Sequence, residues 1–279
     1  MEVTSTDSTP NNRFQRTLRG ARLIWRVRRF CARLPFMKIS IAQLIVGRDI
    51  ATNLSRMRTV LESAQPDDWV VFPEGTLSGY FPDDEGFMRS LNGQSIEAGI
   101  REIEAIVRAR WCNCIFGTAT FLDGALRNSV VVVSAEGERH RYHKIELSGL
   151  DRRHFTPGTA SEVIRVGGLT FGTLACRELL FPAMWAQLKQ AGAQIVFHIN
   201  NAIQPHDQIW NHFFIARAVE QGLFVCSVNN GAPPQELASH LVAPSGQVLL
   251  KTKTGCDDVV SADIDLADAI PDLALRTDF

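Results

Sequence analysis

The chain has 279 residues, 45% of them hydrophobic and 21% charged, with 29 basic and 30 acidic side chains that leave a formal net charge of −1. That length and apolar content suffice for one large core, and no stretch approaches the ~20 continuous apolar residues of a membrane-spanning helix. The six cysteines, at positions 31, 112, 114, 176, 226 and 256, are dispersed and follow no secretory signal; a disulfide framework is not expected, and a reducing, cytoplasmic setting is.

Residues 1–36 are a different kind of sequence, with eight arginines and no lysine against Glu2 and Asp7. Arg13, Arg16, Arg19, Arg22, Arg26 and Arg29 recur every three or four residues, opposite a thinner apolar side of Leu23, Ile24, Val27 and Phe30. This pattern fits a basic amphipathic helix able to touch an anionic surface or a partner, or an organelle transit peptide. The alternative is that Met37 is the true start and the preceding residues are a leader without selected structure. The main domain is expected over 37–279, and no nucleic acid is expected as its partner.

Along that domain, apolar runs predict strands at 38–43, 69–73, 114–121, 129–134, 139–143, 162–166, 169–175, 194–199, 223–229, 237–243, 247–251 and 258–264. Helical spacing predicts helices at 50–64, 95–110, 183–191 and 206–220; in the last, Trp210, Phe213, Phe214 and Ala218 form a stripe that packs on a sheet. Several strands are apolar throughout, as in sheets covered on both faces. Others alternate and are joined by short turns such as Ala135-Glu136-Gly137 and Pro244-Ser245-Gly246, which read as antiparallel hairpins. The class is α/β with mixed sheets.

Three of these strands end in a single reactive side chain: Glu74 after 69–73, Lys144 after 139–143, and Cys176 after 169–175. Each has a bland reading, since Glu74 can cap the turn after Pro73, Lys144 can pair with a surface acid, and a free cysteine usually packs as a small hydrophobe. Together they make a catalytic set. A thiol with a reference pKa of ~8.5 needs a base to become a nucleophile, and Glu74 can serve. Attack on an amide or nitrile carbon builds negative charge on the substrate heteroatom, which Lys144 and the N–H of Arg177 are able to stabilise. The carboxylic acid then protonates the departing amine and activates the water that releases the acyl group.

Metal spacing is not met. Cys112-Asn113-Cys114 has no second close pair of ligands, His206 and His212 are six apart, and His140 and His143 fall on opposite faces of a strand. No metal is expected. Gly167-Gly168 and Gly222 lack phosphate-loop patterns, and no cofactor is expected.

These residues resemble the nitrilase, or carbon–nitrogen hydrolase, superfamily, whose Glu-Lys-Cys triad maps onto Glu74 in VFPEGTLSGY, Lys144 in YHKIEL and Cys176 in LACRELLFP. The likeness extends to the opening Met37 to Gln43 and Asn53-Leu54, to Asn128-Ser129, to Trp210 through Glu220, and to Ser239 through Gly246, covering roughly residues 37–265. Two positions depart from the family. No glutamate stands between Lys144 and the Pro157-Gly158 turn where members often carry a second one, and Asp151 is the nearest carboxylate to replace it. Arg177 follows the nucleophile where true nitrilases usually place Trp and aliphatic amidases Tyr, which argues against nitriles.

The resemblance implies a four-layer α-β-β-α sandwich and a homodimer or larger homo-oligomer. It also places Tyr80, Phe81, His154, Phe155, Asn200 and Asn201 where substrate loops fall, with Arg152, Arg153 or Arg177 as candidates for a substrate carboxylate. The expected reaction is hydrolysis of a non-peptide C–N bond in a small carboxamide or N-carbamoyl compound through a Cys176 thioester. The competing readings are a nitrilase, an acyltransferase of the same family, and a binding protein that keeps the fold without catalysis.

Overall fold

A computed structural model describes residues 36–202, 207–233, 235 and 237–269. The Arg-rich extension lies outside the described residues apart from Phe36, as do His206 and the tail with Pro271 and Arg276.

Among the described residues, twelve strands fall into two six-stranded sheets. The first contains β1 (Phe36–Gln43), β2 (Trp69–Val71), β3 (Asn113–Leu122), β4 (Ala125–Val133), β5 (Arg139–His143) and β12 (Asp258–Asp265), in the order β12-β1-β2-β3-β4-β5. The second contains β6 (Ile164–Val166), β7 (Leu169–Ala175), β8 (Ile195–Asn200), β9 (Phe224–Asn229), β10 (His240–Val242) and β11 (Val248–Lys251), in the order β11-β10-β9-β8-β7-β6. Both have a parallel centre, β1-β2-β3 and β7-β8-β9, with antiparallel strands outside it. The helices α1 (Ile50–Ser63), α2 (Glu85–Ser90) and α3 (Gly93–Arg110) intervene in the first centre, and α4 (Pro182–Gln190) and α5 (Asp207–Gln221) in the second. Parallel neighbours require such crossovers. The sheets are therefore mixed, as the alternation of apolar and half-apolar runs predicts.

The sheets face one another through Ile39, Ile41, Trp69, Val71, Ile115, Val130 and Val132 on one side and Phe171, Phe197, Ile199 and Val228 on the other. Trp69 is the pivot, stacked on Phe197 at 5.6 Å and edge-on to Phe171 at 5.1 Å between ring centroids. Each such side chain contributes about 1.5–3 kcal/mol by leaving water. Outside the first sheet, α1 and α3 bury Leu54, Met57, Leu61, Ile96, Ile100, Ile103 and Val107. Outside the second, α4 and α5 bury Trp185, Leu188, Trp210, Phe214 and Ala218, while Phe213 is half-buried against the same core. The result is the α-β-β-α sandwich. Asp49, Asp84 and Asn92 start α1, α2 and α3 by accepting from the N–H groups of Thr52, Phe87 and Ser95, worth about 1 kcal/mol each.

Several expected boundaries shift. The strand expected over 237–243 narrows to β10 because the Ser239 N–H goes to Gln43 Oε1 and Thr252 Oγ1, while the Leu237 carbonyl accepts from Asn229 Nδ2. The helix α2 and single helical turns at Asp151–Arg153, Cys176–Leu180 and Leu266–Asp268 have no counterpart in the sequence pattern. Runs of three to six residues are too short to display a period.

Candidate active site

The parallel strands β2, β7 and β8 end on one side of the molecule, where open α/β sheets place their ligand crevices. Two residues beyond β2, Pro73 and then Glu74 cross over β3: the Gly117 N–H donates to the Pro73 carbonyl at 3.0 Å. A Cβ on Gly117 would lie 2.5 Å from Glu74 Cα and 2.4 Å from the Gly75 nitrogen, so only glycine permits this approach. The Glu74 N–H reaches the Asn200 carbonyl at 3.3 Å, joining the loop of the first sheet to the end of β8 in the second. The Glu74 side chain is fully buried. Its Oε1 accepts from Asn128 Nδ2 at 2.8 Å and from Lys144 Nζ at 2.9 Å, while Oε2 has no partner among the described residues.

Lys144 follows β5 directly. Its N–H donates to the Asn128 carbonyl and its own carbonyl accepts from Gly158, both at 2.9 Å. The ammonium, 1% exposed, lies between Glu74 Oε1 and Asp151 Oδ2 at 2.9 Å each. Asp151 also accepts from Tyr80 Oη at 2.5 Å and from the Ser148 N–H at 3.1 Å. The Tyr80 ring stacks on Phe155 at 6.5 Å, and Lys144 Nζ lies 5.9 Å from its centroid. Burial disfavours charge on every member. For Lys144 that penalty is outweighed by Glu74 and the other acidic groups, which hold the amine protonated. Burial raises the Glu74 carboxyl above the usual carboxylate range against the pull of Lys144. Asp151 is desolvated as well, yet Lys144 and the Tyr80 hydroxyl bring it below that range.

Cys176 follows β7 directly, as the first residue of a helical turn, with φ +48°. A non-glycine residue in this region is held there by its surroundings. Its carbonyl accepts from His198 Nε2 at 3.0 Å. Burial depresses His198 to about 3, so the ring is neutral. The Cys176 thiol is pushed up to about 12 by burial and then by Glu74, with Lys144 and the N–H of Asn201 acting the other way. It rests as a thiol within the field of all three charged side chains.

Glu74, Lys144, Asp151, Tyr80 and Cys176 thus form one cluster. Asn200 and Asn201 border it: Asn200 Nδ2 donates to Ser227 Oγ while its buried Oδ1 has no partner among the described residues, and Asn201 Oδ1 accepts from Asn230 Nδ2 and Gln235 Nε2. The His154 ring is within hydrogen-bond distance of the Pro82 carbonyl. It lines a shallow cleft with Glu85, Met88, Arg89, Leu126 and Arg153, and none of Glu74, Lys144 or Cys176 lines that cleft. Arg152, Arg153 and Arg177 are exposed, and the Arg177 guanidinium sits 5.6 Å from the Phe181 ring. Asn128, which the sequence marks only within the family likeness, shapes the site together with Glu178 and His198, to which the sequence assigns no role. Of these two, only Glu178 carried a signal, as an acid at the third position of a helical turn, able to reach back to the preceding N–H.

Among the described residues, no group of three or more His, Cys, Asp or Glu side chains is placed to hold a metal ion, and no helix is long and apolar enough to cross a membrane. A family model described as carbon-nitrogen hydrolase matches residues 38–272. An (R)-stereoselective amidase of Pseudomonas sp is 32% identical over 242 residues, covering 82% of this chain and 86% of that protein. A 2-oxoglutaramate amidase of Bacillus subtilis (strain 168) is 24% identical over 210 residues, covering 72% of this chain and 80% of that protein. Among solved structures, a mutant amidase from Nesterenkonia sp. AN1, bearing acrylamide added at its active site cysteine, matches with a TM-score of 0.75 and 22% identity, covering 83% of this chain and 96% of that one.

Proposed function

The chain belongs to the carbon–nitrogen hydrolase family as an amidase-like enzyme, and we propose that it hydrolyses a small carboxamide or N-carbamoyl compound through a thioester at Cys176. The observation that carries this reading is the buried Lys144 ammonium held between Glu74 and Asp151 in the field of the Cys176 thiol.

With the thiol pushed up to about 12, almost no thiolate exists at neutral pH, so proton transfer accompanies attack. Glu74 takes the thiol proton, its raised carboxyl making it a closer match for that transfer. The sulfur adds to the carbonyl carbon, and the negative charge on the substrate oxygen is met by the Lys144 ammonium and the Arg177 N–H. The latter lies in the first turn of a helical segment, where N–H groups lack partners within the helix. Glu74 gives its proton to the nitrogen as the C–N bond breaks, releasing ammonia or an amine and leaving the thioester. A water then gives its proton to Glu74 and its oxygen to the acyl carbon; the carboxylic acid departs and the thiol is restored. Asp151 supports Lys144 in the role that the family's second glutamate suggests. The runs of amidase-named relatives favour carboxamides.

The test is ammonia release from a panel of carboxamides, carbamoyl amino acids and nitriles. Cys176→Ala is expected to abolish turnover while the far-UV spectrum and melting temperature stay those of the parent. Undiminished release by that variant would refute the assignment.

A further inference from the structure

Glu178 lies two residues after Cys176 and is fully buried. Its carboxylate receives four donors. Oε2 accepts from the Ala175 N–H at 2.7 Å, while Oε1 accepts from the Ile145 N–H at 2.7 Å, the Glu146 N–H at 3.2 Å and Tyr142 Oη at 2.6 Å. Ala175 is the last residue of β7, immediately before Cys176, and Ile145 and Glu146 immediately follow Lys144. One side chain therefore ties the peptide on the cysteine's N-terminal side to the peptides on the lysine's C-terminal side, across two different sheets.

We propose that Glu178 is a positioning residue, a polar clamp that sets the spacing and orientation of Lys144 relative to Cys176. The proposal rests on the thioester reading above. The sheet faces pack through apolar side chains, contacts that are non-directional and tolerate small slides, and the polar joins Glu74–Asn200 and Gln43–Ser239 touch neither the Lys144 nor the Cys176 segment. Hydrogen bonds of 2.6–2.7 Å from one carboxylate to both segments do not tolerate such slides. The Glu178 carbonyl is itself anchored, accepting from Trp185 Nε1 at 3.1 Å, so the clamp has a fixed base on α4. The donor set also selects the residue type. Two oxygens facing only donors suit an ionised carboxylate, whereas a glutamine must turn an N–H₂ toward a peptide N–H. The clamp holds Cys176 on one side while His198 holds its carbonyl on the other, and between them the φ of +48° is maintained.

The experiment compares Glu178→Gln with Ile103→Val, a core truncation in α3 that touches no part of the site. For Glu178→Gln, kcat on the best amide is expected to fall about a hundredfold, as for a reacting group misplaced by ~1 Å. KM is expected to stay within about threefold, since the ground-state contacts remain. In Ile103→Val, at a comparable loss of melting temperature, kcat should hold. A kcat for Glu178→Gln that stays near the parent value, or that falls only in step with Ile103→Val, overturns the clamp. Should Glu178→Gln fail to fold, Glu178→Asp decides: it keeps the charge but is one methylene too short to meet both segments, and parental kcat in it overturns the proposal equally. Cys176→Ala run alongside separates the two levels. Activity surviving in Cys176→Ala removes the thioester reading, whereas activity surviving in Glu178→Gln with Cys176→Ala inactive removes only the clamp.

Discussion

From the first sheet and the loop after it come Glu74, Asn128, Lys144 and Asp151, buried and bonded to one another. From the second come Cys176, His198 and Asn200, whose side chains are uncharged at neutral pH. The first half meets the cost of burying charge by internal pairing, so its geometry stands ready before a substrate arrives. The second half carries the reactive atom on a backbone in a sparsely populated conformation, costing about 1–3 kcal/mol. The neutral His198 ring and the Glu178 carboxylate hold it there. Ionic order on one side and backbone constraint on the other let charge develop at the sulfur without either half having to rebuild its own contacts.

Breaking the ionic half should have the largest effect. Lys144→Met leaves Glu74 and Asp151 buried side by side without their cation, and such a removal costs about 3–5 kcal/mol. Urea unfolding should show that loss, and ammonia release should vanish. A stability near the parent's would mean that the pair is not ionised as drawn.

A smaller effect isolates the position of Glu74 from its charge. Gly117→Ala forces β3 and the Glu74 loop apart, at about 1–3 kcal/mol for overpacking, and kcat should drop although every ionisable group remains. Parental kcat in this variant would show that the close approach of Gly117 does not set the site.

The least effect, and the one that singles out the neutral half, is acid sensitivity. His198 and His240 both belong to the second sheet and are depressed by burial to about 3 and about 4, from 6.5. Their stabilising neutral state is fully favourable above pH 6.5. As pH falls below that value the unfolded chain takes protons first, and stability is lost down to the folded values, by about 1.4 kcal/mol per pH unit for each histidine. Glu74 and Glu178, with raised values, act in the opposite sense, so the histidine contribution is read as a difference. The urea midpoint of the parent should fall more steeply between pH 6.5 and 5 than that of His198→Gln. Equal slopes would mean that His198 is not a buried neutral ring.

Much of this was legible before any coordinates. Alternation and apolar runs mark the twelve strands within a few residues, because strand pairing of a covered sheet demands β-branched and aromatic residues along the whole run. The ends of those runs also expose Glu74, Lys144 and Cys176, since an ionisable side chain terminates an apolar stretch visibly. By contrast, no local pattern shows where the His154 ring and the Arg177 side chain come to rest, at the Pro82 carbonyl and beside Phe181, because loop partners are set by packing.

What the chain's own pattern determined is the α/β class, the mixed sheets and the residue types at the strand ends, all of which follow from local periodicity. Tertiary structure alone decided that Asn128 and Lys144 meet Glu74 from 54 and 70 residues away, that Cys176 adopts φ +48°, and that Glu178 joins the two sheets beside it. Those contacts depend on how two sheets stack and where their strands end. No single segment encodes that, since each partner's position is set by the packing of the other.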